Sequence, residues 1–163
     1  MKVFLETLPG AIVPDYAHAT DAGMDVYANA GVVINPGETK LVPIGLKMAI
    51  PEGYEIQVRP RSGLSLNTPL RVANTPGTID AGYRDEICVI MSNTTYENAG
   101  YSEAYGISEK GNKKGIYIIK SGDKIAQIVL KKVEKIEFEI VDSVKDIGED
   151  RGGGFGSTGM HSK

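Results

Sequence analysis

Apolar and polar residues alternate with a period of two along much of this chain. In Tyr54-Glu55-Ile56-Gln57-Val58-Arg59 the alternation is strict, and Ile136-Glu137-Phe138-Glu139-Ile140 repeats it. Successive side chains of a strand point to opposite faces, so each segment predicts a strand with one face on a core and one in water. The alternating Lys and Glu of 131–139 read as its solvated face. Three short apolar runs, Ile87–Met91, Ile116–Ile119 and Ile125–Leu130, predict strands covered on both faces. Turn signals punctuate them at Asn35-Pro36-Gly37, Pro51-Glu52-Gly53, Thr75-Pro76-Gly77 and Ser121-Gly122-Asp123. Many short strands at close spacing predict an all-β sandwich or barrel. No helical period is long enough for a major helix. One turn is expected after Arg61, with Ser62 as its candidate cap. Residues 93–115 are polar and predict a long hairpin or excursion between two strands. The stretch Arg151-Gly152-Gly153-Gly154-Phe155-Gly156-Ser157-Thr158-Gly159 is dominated by glycine, the residue that loses most backbone entropy on ordering, and predicts a mobile arm.

Composition narrows the function classes. The chain has 163 residues, 41% hydrophobic and 24% charged, ordinary values for one globular domain with a real core. No apolar run approaches the length of a membrane span, and the apolar start Val3-Phe4-Leu5 is too short for a secretory signal. The net charge of -3 speaks against a broad nucleic-acid face, so an anionic ligand would be held by a few local groups. One cysteine, Cys88, excludes an internal disulfide and a cysteine metal site and fits a reducing cytoplasm; its apolar run makes it a core residue. Two histidines, His18 and His161, cannot build a histidine cage and read as solvated loop residues.

Five segments carry candidate chemistry. Asp21-Ala22-Gly23-Met24-Asp25 spaces two carboxylates four apart, suited to Mg²⁺ directly or through water, or simply to a turn before a strand. Pro60-Arg61-Ser62-Gly63-Leu64 follows a strand and can meet an anion at free turn N–H groups, or be a surface turn with solvated arginines. Asn74-Thr75-Pro76-Gly77-Thr78-Ile79-Asp80-Ala81-Gly82-Tyr83 looks like a hairpin ending in an acid. Flanked by Ile79 and Ala81, Asp80 is expected to be partly desolvated and able to act as a general base on water, or to cap its own turn. Gly122-Asp123-Lys124-Ile125-Ala126-Gln127 places one amide in an apolar strand, where it must be hydrogen-bonded, to a ligand or to a neighbouring loop. In the arm, glycine backbone can approach phosphate closely, Arg151 adds a planar cation, Ser157 and Thr158 add hydroxyls, and Phe155 is a stacking platform. The bland alternative is a tail without function. The arm is no Walker loop, since it lacks the Gly-Lys-Ser/Thr ending.

Taken together, and in this order, the five segments resemble the five motifs of the trimeric dUTPase family, over about residues 20–159. The resemblance implies a β jelly roll over residues 1–148 and a flexible arm over 149–163. It implies a homotrimer with its active sites at subunit interfaces. The implied reaction cleaves dUTP between its α- and β-phosphates, giving dUMP and pyrophosphate. That chemistry limits uracil in DNA and supplies dUMP for thymidylate synthesis. The resemblance implies Asp80 as general base and Tyr83 stacked under the deoxyribose, excluding a 2′-hydroxyl. Asn74 and the backbone around Gly77 and Ile79 would read the uracil edge. Arg61, Ser62, Gly63 and Gln127 would hold the phosphates. Asp25 would position Mg²⁺ through water, the metal being held chiefly by the triphosphate. In the arm, Phe155 would cover the uracil, with Gly156 beside it, while Arg151 and Ser157 would grip the γ-phosphate. No nucleic-acid or membrane partner is implied.

Three features depart from the family pattern. The arm has one residue fewer between Arg151 and Phe155, so that either Arg151 grips differently or another basic residue helps. Asp85 in Tyr83-Arg84-Asp85-Glu86 stands where a glycine is common and adds a carboxylate near the base. The 93–115 excursion is longer than the usual connection, and offers either trimer contacts or a surface for a regulatory protein. Two other readings remain: a dCTP deaminase, alone or bifunctional, against which the Ile79-Asp80…Tyr83 pattern stands, and a regulatory binding protein on the same fold.

Overall fold

Residues 1–96 and 100–152 are described by the computed structural model. They form twelve strands and one short helix. In chain order the strands are β1 (Phe4–Thr7), β2 (Met24–Tyr27), β3 (Val32–Ile34), β4 (Thr39–Pro43), β5 (Leu46–Ala49) and β6 (Tyr54–Arg59). After α1 (Ser62–Asn67) come β7 (Leu70–Val72), β8 (Gly77–Ile79), β9 (Cys88–Asn93), β10 (Ala104–Gly106), β11 (Ile116–Ile119) and β12 (Lys124–Lys132). The expectation of an all-β jelly roll holds. The strands make small sheets ordered β1-β5, β10-β11-β3, β2-β12-β6-β8 and β4-β9-β7, with many neighbours distant in sequence. Among the described residues no helix is long and apolar enough to cross a membrane.

One apolar cluster unites these sheets. Val26, Ile34, Leu46, Val58, Met91, Tyr117 and Ile128 are among its buried members. Tyr117 is wholly buried, and its hydroxyl donates to the Lys113 carbonyl at 2.8 Å, so its polar tip costs little. Buried Asn93 donates through Nδ2 to the carbonyls of Ile34 (3.1 Å) and Gly115 (2.8 Å). It thereby ties together the two ends of the 93–115 excursion.

The alternation read in 54–59 is present: in β6, Ile56 and Val58 face the core. The central strand β12 buries Ile125, Ala126, Ile128 and Val129, as a two-sided strand should. The other two apolar runs differ from expectation. In β9 and β11 burial alternates, because a second layer covers only one face of each within the chain. Ile136–Ile140 forms no strand, and every residue from 131 to 150 is exposed. Alternation makes a strand only where the segment pairs with an edge, and among the described residues 136–140 pairs with none.

The helix also departs in detail. Arg61, not Ser62, is the N-cap, and it makes no side-chain cap bond. Buried Leu64 and the hydroxyl of Thr68, which donates to the Leu64 carbonyl at 2.8 Å, hold α1 instead. The excursion is no hairpin, since β10 runs parallel to β11. Nor is 74–83 a closed hairpin: β7 pairs with β9, whereas β8 pairs with β6.

Candidate active site

Two groups of the expected site residues assemble, on neighbouring parts of one sheet. The first is built by strand register. Gln127 of β12 lies opposite Asp25 of β2 and opposite Arg59 of β6. Directly paired residues share a face, so Asp25, Gln127 and Arg59 form one row across three strands. The chain leaves β6 at Pro60 and turns into α1, which brings Arg61 back over that row. Arg61 grips Asp25 in a fork, Nε to Oδ1 at 2.8 Å and a terminal nitrogen to Oδ2 at 3.3 Å. Lys124 closes the cluster, its Nζ 3.0 Å from Asp25 Oδ2. Burial pushes the Asp25 carboxyl up, but hydrogen bonds from Lys124 and Arg61, and their charges, outweigh it and hold the carboxyl below its ordinary value. The same pairing raises the Lys124 ammonium, chiefly through its hydrogen bond to Asp25.

Gln127, half-buried, satisfies its amide by donating Nε2 to the Pro60 carbonyl at 3.0 Å, which fixes the start of the Arg61 turn. The residue facing it must be small. A Cβ on Gly23 would lie 2.9 Å from Gln127 Oε1 and 3.2 Å from the Ile128 carbonyl oxygen. An open cavity of about 600 Å³ lies over this row, with Asp25, Arg59, Lys124 and Gln127 in its wall. Asp21 lines it too, but its carboxylate accepts the His18 backbone N–H at 2.9 Å. Ser62 and Gly63 are exposed at the start of α1.

The second group surrounds β8. Ile79 lies opposite Ile56 and Gly77 opposite Val58. The Asn74 amide rests against Gly77, where a Cβ would meet its Nδ2 at 3.1 Å. Beyond β8 the chain turns through Asp80 to Tyr83, whose N–H donates to the Asp80 carbonyl at 3.1 Å and whose hydroxyl donates to the Glu86 carbonyl at 2.9 Å. Glu86 in turn accepts the Gly45 N–H at 2.9 Å, anchoring the turn to the body. A cavity of about 290 Å³ is lined here by Asn74, Gly77, Ile79, Asp80 and Tyr83.

Asp80 is exposed, not partly desolvated as its apolar neighbours suggest, because it lies just past the end of β8, at the wall of this open cavity. Asp85 is exposed as well. Cys88 is half-buried and lines the β8 cavity, so it is not a pure core residue; burial and then the Glu86 charge push its thiol up. Arg151 is exposed and belongs to the wall of neither cavity. Phe155, Gly156 and Ser157 lie outside the described residues. Among the described residues no three His, Cys, Asp or Glu side chains cluster to hold a metal. Both Asp25 oxygens already accept cationic donors, which suits contact with a metal through water better than direct ligation. Lys124 as a partner of Asp25, and Arg59 in the same row, are not legible from motif spacing; the strand register reveals them.

The sequence profile of the dUTPase family matches residues 10–159. The chain belongs to the dUTPase family. Its relatives include the deoxyuridine 5'-triphosphate nucleotidohydrolases of Clostridium tetani, 42% identical over 91% of this chain and 90% of that one, and of Clostridioides difficile, 43% identical over 92% of each. Among solved structures, the dUTPase of Staphylococcus bacteriophage 80alpha with dUpNHpp has a TM-score of 0.85 at 30% identity, covering 98% of this chain and 99% of that one. A variant dUTPase from phage phi11 of S. aureus, which reveals the coordination of a structural Mg(II) ion, has a TM-score of 0.79 at 30% identity over 88% of this chain and 98% of that one. The dUTPase-family fold and the five ordered motifs therefore coincide in this chain.

Proposed function

We propose that this chain is a dUTP diphosphatase, hydrolysing dUTP to dUMP and pyrophosphate. The observation that carries the reading is the gathering of the first four ordered motifs into two half-sites, one cationic and one built around an exposed carboxylate. Asp80 takes a proton from water, whose oxygen attacks the α-phosphorus. The bond from that phosphorus to the bridging oxygen breaks, and pyrophosphate leaves. A general base of this kind supplies about 10²–10⁴-fold. Asn74 with the backbone at Gly77 and Ile79 reads the uracil, and Tyr83 packs under the deoxyribose. Arg61, Ser62, Gly63 and Gln127 orient the triphosphate, whose developing charge they offset from fixed positions. Magnesium carried by the triphosphate would neutralise further charge, with Asp25 reaching it through water.

The working form in this reading is a homotrimer, with the two half-sites facing each other across a subunit boundary. Support comes from Ile136, Phe138 and Ile140, which are 75%, 84% and 97% exposed and alternate as a strand awaiting a partner edge. The arm carrying Arg151, Phe155, Gly156 and Ser157 closes over the nucleotide. The enzyme acts in the cytoplasm, where the lone thiol stays reduced. The excursion offers a second role as a surface for a regulatory protein. Tyr96 and Tyr101 are exposed on it at 78% and 40%, and structures of the similar phage 80alpha dUTPase concern control of the transfer of virulence genes.

The test is a nucleotide panel of dUTP, UTP, dTTP and dCTP with parent and Asp80→Asn. The expected result is pyrophosphate from dUTP alone, lost in the variant. Ammonia from dCTP would favour the deaminase reading instead.

A further inference from the structure

The excursion meets the phosphate turn. A cleft of about 240 Å³ separates them, with Arg61 and Gly63 on one side, Ser108 and Lys110 on the other, and Lys124 and Asp123 between. Its cations outnumber its single acid. Asp123 is committed to the turn before β12, where its carboxylate accepts the Lys120 N–H at 2.7 Å. Arg61 and Lys124 share Asp25. Lys110 makes no ion pair among the described residues, whereas its neighbour Lys113 is held by Glu109.

Lys110 sits on a built turn. Glu109 bonds back to Gly106 twice, through its own N–H to the carbonyl at 3.2 Å and by accepting the Gly106 N–H at 3.1 Å. Ile107 packs against the core. The Asn112 N–H donates to the Asn67 carbonyl at 2.8 Å, and Asn67 Nδ2 donates to the Gly63 carbonyl at 2.8 Å. A continuous chain of bonds thus sets the excursion against the residues proposed to hold phosphate. An unneutralised ammonium on a fixed turn, beside two cations whose charge a neighbouring acid offsets, is suited to a multiply charged anion.

We infer that Lys110 is a further substrate-binding residue, contacting the terminal phosphates of the nucleoside triphosphate. This rests on the dUTP reading and deepens it: the excursion supplies the extra basic group that the shortened arm leaves room for.

The experiment compares the full-length parent with Lys110→Ala and Lys110→Arg. It measures KM and kcat for dUTP, inhibition by dUMP and inhibition by inorganic pyrophosphate. In Lys110→Ala the KM for dUTP rises roughly five- to tenfold and pyrophosphate inhibition weakens in step. Inhibition by dUMP, which lacks the terminal phosphates, stays at the parent's level, and Lys110→Arg recovers most of the loss. An unchanged KM overturns the inference, and so does a parallel loss of dUMP and dUTP binding, the mark of a structural role. A parent that releases no pyrophosphate from dUTP sinks the underlying reading as well, and is told apart because it needs no variant.

Discussion

The two halves of the site are held in opposite ways. Around Asp25, side chains hold one another: Arg61, Lys124, Gln127 and the Pro60 carbonyl form one bonded cluster on three strands. Around Asp80, the β8–β6 ladder and the side chains of Tyr83 and Glu86 fasten the turn to the backbone of the body, while the Asp80 carboxylate stands exposed. In the binding half the Asp25 carboxylate offsets the charges of Arg61 and Lys124 and fixes their positions before substrate arrives. A reacting carboxylate must stay free. The difference follows from what each half does.

The largest expected effect comes from the open half. Asp80→Asn removes the base and lowers kcat by about 10²–10⁴-fold. Because Asp80 is exposed and, among the described residues, bonds only through its backbone, the urea midpoint stays where it was. A large loss of stability would mean that Asp80 is structural.

Arg61→Ala attacks the bonded half. It removes a forked, charge-assisted contact and the proposed phosphate contact together, so kcat/KM falls about ten- to a hundredfold. Unlike the first variant, it also costs stability, readable as a lower urea midpoint. Equal stability in the two variants would erase the contrast.

A packing change sharpens it further. Gly23→Ala drives a Cβ against Gln127 Oε1 and the Ile128 carbonyl. Crowding of this kind costs about 1–3 kcal/mol. Calorimetry should show the lower Tm, and a crystal structure should show Gln127 released from Pro60.

The smallest effect is on pH dependence. The Asp25 carboxyl lies below its ordinary value in the folded protein. Its stabilising contribution is therefore complete above the unfolded carboxyl pKa of about 3.9, and is lost as pH falls through the lower folded value. Urea midpoints followed downward from pH 5 should fall less steeply in Asp25→Asn than in the parent.

Much of this was legible in the residues. Period-two alternation gave β6, and the apolar run 125–130 gave the two-sided strand β12, because local pattern there matches what the sheet needs. Ile136–Ile140 carries the same pattern and stays unpaired, since a strand needs an edge that no local pattern supplies. Gln127 was legible as a satisfied amide, but not that it would hold the Pro60 turn, which depends on register between β12 and β6. The Asp25 cluster was half legible. The acid and Arg61 stand in motifs, but Lys124 joins them where the strand register shifts between Lys124 and Ala126, invisible in the spacing. The apolar sequence neighbours of Asp80 suggest shelter that it does not have; at the end of a short strand, neighbours in sequence are not neighbours in space.

The central claim is that the open half of one copy and the bonded half of another make one site for dUTP. Co-expression of Asp80→Asn with Arg61→Ala chains tests it most directly, each variant alone keeping about a tenth of the parent's kcat/KM or less. Shared sites predict recovery of dUTP hydrolysis to roughly a quarter of the parent's level at equal expression, from the trimers that unite two intact halves. Mixed trimers, verified by mass, that stay as inactive as either variant would contradict it.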